Sequence, residues 1–365
     1  MLYLFILGRN PELSRAEVLS YLEARSIKYR EILSEENFLV LDFEANIDIQ
    51  SFGGILKIGK VLFKGTKTNL AEFIEKDDLI NEDKFNYAIL GEDIEDFLVS
   101  KFKKEKRKAQ IKRTSKPIKM QSGENIELPN ADFHFFCFKK KDFYFGLIEQ
   151  EYSYKDIKER DMKKPVRREE LAISPRLAKI LINLSQAKPG NLLLDPFCGV
   201  GGILQEALTQ GIKCIGVDRD SEAIKAAKIN LDWLRQKFKI ENYNLINYDS
   251  AKVAIKPQPD AIATETALGE LLRRKPNNQE AKKIIEDFEY YITPVLYNIK
   301  KQKKFNAKIA ISCPFIREYS VNMQRICSET GLEIYKLTNN GNNVKFPIKE
   351  FREDQFISRE IWVLV

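Results

Sequence analysis

A chain of 365 residues is long enough for two domains with separate cores, and 44% hydrophobic with 31% charged residues is a globular balance that excludes a disordered chain. A formal net charge of +7 favours a polyanionic partner, although its distribution along the chain matters more than its sum. Five scattered cysteines without C-x-x-C spacing, and a single histidine, His134, argue against a disulfide framework and a zinc site and fit a reducing compartment.

The opening MLYLFILGRN has an apolar run but no basic leader and no small-residue cleavage site, so it reads as a first strand rather than a signal peptide. Ser14 is a candidate helix cap, followed by the stripe Ala16, Val18, Leu19 and Leu22; Phe38 to Phe43 reads as a second strand. Two glycines open the β-rich run GGILKIGKVLFKG (53–65), a helix is expected around Leu70 to Phe73, and a strand from Asn86 to Leu90. Residues 92–109 predict an amphipathic helix that would place Lys104, Lys108 and Lys112 on one face. Between Lys101 and Lys119 ten basic residues face the single acid Glu105, which makes Lys104, Lys108, Lys112, Arg113 and Lys116 candidates for phosphate contacts. Alternating aromatics in Phe133 to Phe138 and Phe143 to Ile148 read as strands that fill a core. The polar stretch 149–170 reads as a linker, and Arg167 and Arg168 within it form a second basic patch.

Beyond the linker, strands and helices alternate. Strands are expected at 192–194, 213–217, 244–247, 261–263, 308–312, 332–337 and 360–365, giving an α/β domain with a mainly parallel sheet and an antiparallel hairpin at its C-terminal edge. No stretch approaches the length of a membrane span. A soluble cytoplasmic protein, without a membrane or metal partner, is expected.

The strongest local signal is LLLDPFCGVGGIL (192–204), in which a buried strand runs into Asp195, a turn with Gly199 and Gly201, and a helix. Glycine is needed where backbone turns sharply and approaches a ligand, and ligands of open α/β sheets lie beyond the carboxyl ends of the strands. An acid at the start of the turn would repel a pyrophosphate but suits a cationic, amine-bearing cofactor such as S-adenosylmethionine. In CIGVDRD (214–220), Asp218 ends the next strand, where a carboxylate accepts from ribose hydroxyls; Arg219 follows it. In INYDSAK (246–252), Asp249 follows the third strand and suits an adenine amino group, with Ser250 beside it. Pro196, Phe197 and Cys198 complete the set of candidate cofactor-binding residues.

These features, in this order, resemble a class I methyltransferase domain. The stretch RDMKKPVRREELAISPRLAKILINL (160–184) running into PGNLLLDPFCGVGG, and the opening YLFILGRNPELSRAEV (3–18), are similar to the THUMP-containing tRNA guanosine-N2 methyltransferases of the guanosine-10 type and their bacterial relatives. The resemblance implies a ferredoxin-like element over 1–50, a THUMP-like RNA-binding domain over 51–150, and a Rossmann-like, seven-stranded S-adenosylmethionine-dependent methyltransferase domain over 171–365. It implies a tRNA substrate, and a chain acting as a monomer or with an accessory protein.

Amino methyltransferases of this class carry Asp or Asn, two prolines and an aromatic after the fourth strand. An oxygen acceptor and a backbone carbonyl hold the amine so that its lone pair faces the methyl group, and the aromatic stacks on the flipped base. The corresponding stretch here is AIATETALGELLRRKP (261–276). Glu265 falls at the acid, flanked by Thr264 and Thr266 as further candidates; Thr266 and Ala267 stand where prolines are expected, and Leu268 and Gly269 where the aromatic would follow. Arg273 and Arg274 are alternative groups for holding the base. The leading expectation is methylation of guanosine N2 in tRNA. The alternatives are a catalytically degenerate RNA-binding protein of the same fold, and an amino methyltransferase acting on DNA or ribosomal RNA.

Overall fold

A computed structural model describes residues 1–113, 129–168, 173–240, 242–266, 274–339, 342–351 and 356–365. The chain divides into two units. The first comprises Met1–Pro11, Lys28–Gln50 and Ile55–Tyr152, and the second Glu12–Ile27, Ser51–Gly54 and Ser153–Val365.

The first unit is built on strands β1 (Leu2–Leu7), β2 (Tyr29–Glu35), β3 (Phe38–Phe43), β4 (Ile55–Gly65), β5 (Lys84–Gly91), β6 (Lys108–Ile111), β7 (Phe133–Lys139) and β8 (Phe143–Glu151), with helices α2 (Lys67–Lys76) and α3 (Glu95–Lys104). The strands form one sheet in the order β2-β3-β1-β4-β8-β7-β5-β6. Strand β2 escapes sequence inspection because YREILSE is an edge strand with no fully buried residue and hence no apolar alternation. The aromatics of β7 and β8 serve both faces. Phe135 and Phe145 stack at 5.7 Å in a core with Tyr87 and Phe102, while Phe136, Phe138 and Tyr144 pack with Leu4 and Val40.

The helix expected over 92–109 is shorter than its charge pattern suggests. Helix α3 ends at Lys104, Lys106 takes a positive φ of 57°, and Lys108 begins β6, which pairs parallel with β5. Lys104, Lys108 and Lys112 therefore do not share a helix face. The alternation of Lys108, Ala109, Gln110 and Ile111 between exposed and half-buried has the period of a strand, and β5 supplies the backbone partners.

The second unit contains α1 (Pro11–Ala24, from Glu12 onward), α4 (Tyr154–Met162), α5 (Pro175–Leu184), β9 (Leu192–Asp195), α6 (Gly202–Leu208), β10 (Lys213–Asp218), α7 (Ser221–Lys237), β11 (Tyr243–Asn247), β12 (Ala261–Glu265), α8 (Asn278–Gln302), β13 (Ile309–Phe315), α9 (Met323–Thr330), β14 (Leu337–Asn339), β15 (Asn342–Val344), β16 (Ile348–Glu350) and β17 (Ser358–Leu364). Its sheet runs β11-β10-β9-β12-β13-β17-β16, parallel from β11 to β13, with β17 antiparallel to both neighbours. This is the seven-stranded arrangement expected for the α/β half. The segment Leu332 to Leu337, expected as a strand of this sheet, contributes only a bridge from Ile334 to Leu364, and Leu337 opens the separate β14–β15 hairpin; β16 takes the edge position instead.

Two features of this unit lie outside the expected boundaries. Helix α1 brings Glu17, fully buried, to accept from the amides of Gly53 and Gly54, each at 2.7 Å, and from Asn183 at 2.9 Å. Ser14, read as a cap, is buried within that helix. The stretch 149–170, read as a linker, carries α4, whose Arg160 makes a two-pronged, buried ion pair with Glu206 of α6 at 2.8 and 2.9 Å. Buried charges persist only when paired in this way. Among the described residues no helix is long and apolar enough to cross a membrane.

Candidate cofactor and catalytic site

Four parallel strands, β11, β10, β9 and β12, end side by side, and the candidate residues sit on the loops that leave those ends. Gly199 and Gly201 carry φ of 48° and 87°, in the left-handed region that side chains disfavour, so the loop after β9 can turn directly into α6. Gly201 is the N-cap of that helix.

Asp195 organises this loop from inside. It is 1% exposed, and its Oδ1 accepts from the Phe197 amide at 3.2 Å and the Thr264 hydroxyl at 2.7 Å. Burial pushes its carboxyl up to about 7, against the pull of those two hydrogen bonds; Asp218 and Glu265 add negative potential and push the same way. Cys198 is buried with its amide on the Val217 carbonyl, and Ser250 is buried with its hydroxyl donating to the Pro196 carbonyl at 2.5 Å. Pro196, Cys198 and Ser250 therefore tie neighbouring loops together. All five cysteines are free and buried.

Asp218 and Asp249 are half-exposed. Asp218 Oδ2 accepts from the Gly199 amide and Oδ1 from the Asp220 amide, both at 2.9 Å. A carboxylate has about four acceptor positions, so roughly two remain for a ligand's hydroxyls. Asp249 Oδ1 accepts from the Ala251 amide at 3.0 Å and likewise retains acceptor capacity.

Sequence inspection missed an aromatic element of this site. Tyr291, in the middle of α8, lies 5.5 Å from the ring of Phe197, and the Arg219 guanidinium sits 5.6 Å from the Tyr291 ring centre. Arg219 draws the Tyr291 hydroxyl's titration down, while Asp218, Asp249 and above all burial push it up, so all three charged residues act on this ring. The signal was absent because Tyr291 falls inside a regular helical pattern far from any motif. Flat rings, a guanidinium, spare carboxylate oxygens and a glycine turn fit the ring, ribose hydroxyls and positive charge of S-adenosylmethionine.

At the end of β12, Thr264 and Thr266 are buried and committed: Thr264 to Asp195, and Thr266 to the Ser312 carbonyl at 2.8 Å. They position the strand end. Glu265 between them points elsewhere, to Arg359 of β17, whose Nε lies 2.6 Å from Glu265 Oε1. Arg274 is ion-paired with Glu280. Ala267, Leu268, Gly269 and Arg273 lie outside the described residues.

The basic run of the first unit meets acids that are remote in sequence as well as its own Glu105. Lys104 pairs with Glu75 and Arg113 with Glu95, while Arg107 bonds Asp78 at 2.9 Å and Lys101 bonds Glu105 at 2.7 Å. Lys108 is exposed and Lys112 half-buried, with its ammonium 3.5 Å from Gln110 Oε1; Lys116 lies outside the described residues. In the second unit Arg168 is half-buried and pairs with Asp220 at 2.8 Å, at the start of α7, and Arg167 beside it is exposed.

The strand order, the reversed β17 and the glycine turn after β9 define a class I methyltransferase domain. Residues 164–283 match the family described as UPF0020, RMKL-like, methyltransferase domain. The chain is 27% identical over 260 residues to the tRNA (guanine(10)-N2)-dimethyltransferase of Pyrococcus abyssi, covering 69% of this chain and 73% of that one. It is 32% identical over 117 residues to the enzyme of the same name from Methanothermobacter thermautotrophicus, 32% of this chain and 33% of that one, so there the match spans about a third of the relative's length. Across its whole length it is similar in fold to TrmN from Thermus thermophilus, at 13% identity and a TM-score of 0.50, with 100% of this chain and 99% of that one covered. The resemblance to tRNA guanosine-N2 methyltransferases is borne out by these relatives, and the matched family model overlaps residues 164–202 of the stretch that carries it.

Proposed function

We propose that the protein is a cytoplasmic, S-adenosylmethionine-dependent methyltransferase that modifies the exocyclic N2 of a guanosine in tRNA. The observation that carries this reading is the junction of two loops. Thr264 bonds Asp195 in the cofactor loop, and the very next residue, Glu265, is the candidate acceptor for the base. The names of the archaeal relatives point to guanine N2 and to tRNA.

In this reading Asp218 holds the ribose, Asp249 accepts from the adenine amino group, and Gly199 and Gly201 let the backbone approach. The cofactor supplies a methyl group already activated on a sulfonium, so no covalent enzyme intermediate is required. Glu265 accepts hydrogen bonds from the N2 amine and turns its lone pair toward that methyl. A ferredoxin-like part over 1–50 and a THUMP-like part over 51–150 bind tRNA by shape and phosphate, with Lys104, Lys108, Lys112, Arg113 and Lys116 contributing. Arg167 and Arg168 form a second basic patch, on the methyltransferase unit. The chain acts alone or with an accessory protein.

The test is transfer of labelled methyl from S-adenosylmethionine to unmodified tRNA, followed by mass spectrometry of the nucleosides. N2-methyl- or N2,N2-dimethylguanosine is expected. A different reading is motivated by Thr266 and Ala267 in place of prolines: a catalytically degenerate RNA-binding protein. Cofactor binding without transfer to tRNA, ribosomal RNA or DNA would establish it, and product in ribosomal RNA or DNA alone would reassign the substrate.

A further inference from the structure

Glu265 stands at the carboxyl end of β12 without the prolines that commonly stiffen this position. Its carboxylate is held from two strands away. In the sheet register Glu265 is level with Ser312 of β13, Ser312 with Ile361 of β17, and Arg359 with Pro314. The Arg359 side chain therefore reaches diagonally across β13 to place its Nε 2.6 Å from Glu265 Oε1. Both side chains are largely enclosed, at 7% and 13% exposure. A charge-assisted hydrogen bond of this kind is about twice as strong as a neutral one, and a guanidinium is planar and always charged. The neighbouring Thr266, fixed to the Ser312 carbonyl, anchors the backbone on which the pair is built.

We infer that Arg359 is a positioning residue for the proposed reaction, fixing the Glu265 carboxylate so that its remaining lone pairs meet the target base. The inference rests on the methyltransferase reading of this site and deepens it toward substrate choice. An ionised carboxylate offers acceptors only, and Arg359 uses one of about four. The guanine edge presents N1–H beside the N2 amine, two donors side by side. The adenine edge presents an acceptor, N1, beside its N6 amine. A carboxylate held in place by Arg359 and offering acceptors only matches the first edge and opposes a lone pair of the second. Arginine thus replaces the prolines as the element that immobilises the acceptor, here a carboxylate on a stem one methylene longer than that of Asp.

The experiment is steady-state methyl transfer to tRNA by the wild type, Arg359→Met, Arg359→Lys, Glu265→Gln and the double variant Glu265→Gln/Arg359→Met, with calorimetric binding of S-adenosylhomocysteine to each. In Arg359→Met, kcat is expected to fall roughly ten- to hundredfold, as for a misplaced reacting group. KM for tRNA and cofactor affinity stay within about twofold, because the guanidinium pairs with Glu265 and not with Asp218 or Asp249. Arg359→Lys recovers part of kcat, and the double variant is no slower than Glu265→Gln. Wild-type kcat in Arg359→Met, or a double variant slowed by the product of the two single losses, overturns the assignment while leaving the function standing. A wild type that transfers no methyl to any nucleic acid overturns both. Should Arg359→Met fail to fold, as shown by lost cofactor binding and a lowered Tm, Arg359→Gln takes its place in the same cycle.

Discussion

Thr264 donates its hydroxyl to Asp195 at 2.7 Å, joining the strand that carries the candidate acceptor to the strand that starts the cofactor loop. Both residues are about 1% exposed, so neither can exchange this bond for one to bulk water. The register of β12 against β9 is thereby tied to the shape of the loop that follows Asp195.

Replacing Thr264 by valine keeps the volume and deletes the donor. The Asp195 oxygen keeps the Phe197 amide and loses one of its two partners, and a lost hydrogen bond costs about 0.5–1.5 kcal/mol, so Thr264→Val should lower stability by that amount in urea unfolding. Cofactor affinity should weaken with it, because the loop loses its internal brace. Calorimetry with S-adenosylhomocysteine reads the second effect.

Burial lifts Asp195 from 3.8 to about 7 and Glu17 from 4.5 to about 7. Each group binds its proton more tightly in the folded chain than in the unfolded one, so between roughly pH 4 and pH 7 the folded state holds more protons and stability falls as pH rises. The loss levels off only about one pH unit above 7. Urea unfolding from pH 5 to pH 8 should show this decline, and Asp195→Asn and Glu17→Gln should each flatten it. Binding of a cation favours ionised Asp195, so affinity for S-adenosylmethionine should increase from pH 6 to pH 8. A flat profile in the wild type would remove both carboxylates from this role.

Tyr291 lies beside Phe197 and under Arg219 at the cofactor end of the sheet. Stacking of a base on an aromatic side chain contributes about 1–3 kcal/mol, so Tyr291→Ala should weaken S-adenosylhomocysteine roughly ten- to hundredfold. Tyr291→Phe keeps the ring and should bind within about twofold of the wild type. Equal losses in both variants would point to the hydroxyl instead of the ring.

The residues of the basic run are expected to contribute unequally to the proposed RNA binding. Lys104 and Arg113 already face Glu75 and Glu95, whereas Lys108 is exposed at the start of β6. Lys108→Ala should therefore reduce the salt dependence of tRNA affinity by nearly one counterion, and Lys104→Ala by less. Plots of log Kd against log salt for the two variants check the ranking.

Much of the second unit was legible because its determinants are local. Leu192 to Leu194 and the glycine turn announce themselves within a dozen residues and Asp218 at the end of the next strand, and in the first unit β1 and β3 likewise begin and end where their apolar runs do. What escaped depends on distance. Arg359 lies 94 residues from Glu265, and its pairing follows from sheet order rather than from any pattern in the chain. Tyr291 looks like any helical aromatic until α8 is set against the loop after β9. The charge run at 101–119 read as unneutralised because Glu75, Asp78 and Glu95 come to it through folding. Strand β6 was mistaken for helix because lysine spacing says little about backbone when the true constraint is a ladder to β5.

From Glu12 onward, helix α1 belongs to the unit that is otherwise built from Ser51–Gly54 and from Ser153 onward. Its side chains Leu13, Ala16, Val18, Leu19 and Leu22 are all buried, and Asn183, which Glu17 accepts from, follows Glu17 by 166 residues. During synthesis this apolar surface leaves the ribosome long before its cover does, by roughly ten to thirty seconds at bacterial and eukaryotic elongation rates. A fragment starting at Ser153 would be born with the mirror-image problem, a hydrophobic trough with no helix to fill it. Expression as an intact polypeptide, or co-expression of the two pieces, is therefore the condition for obtaining a soluble catalytic half.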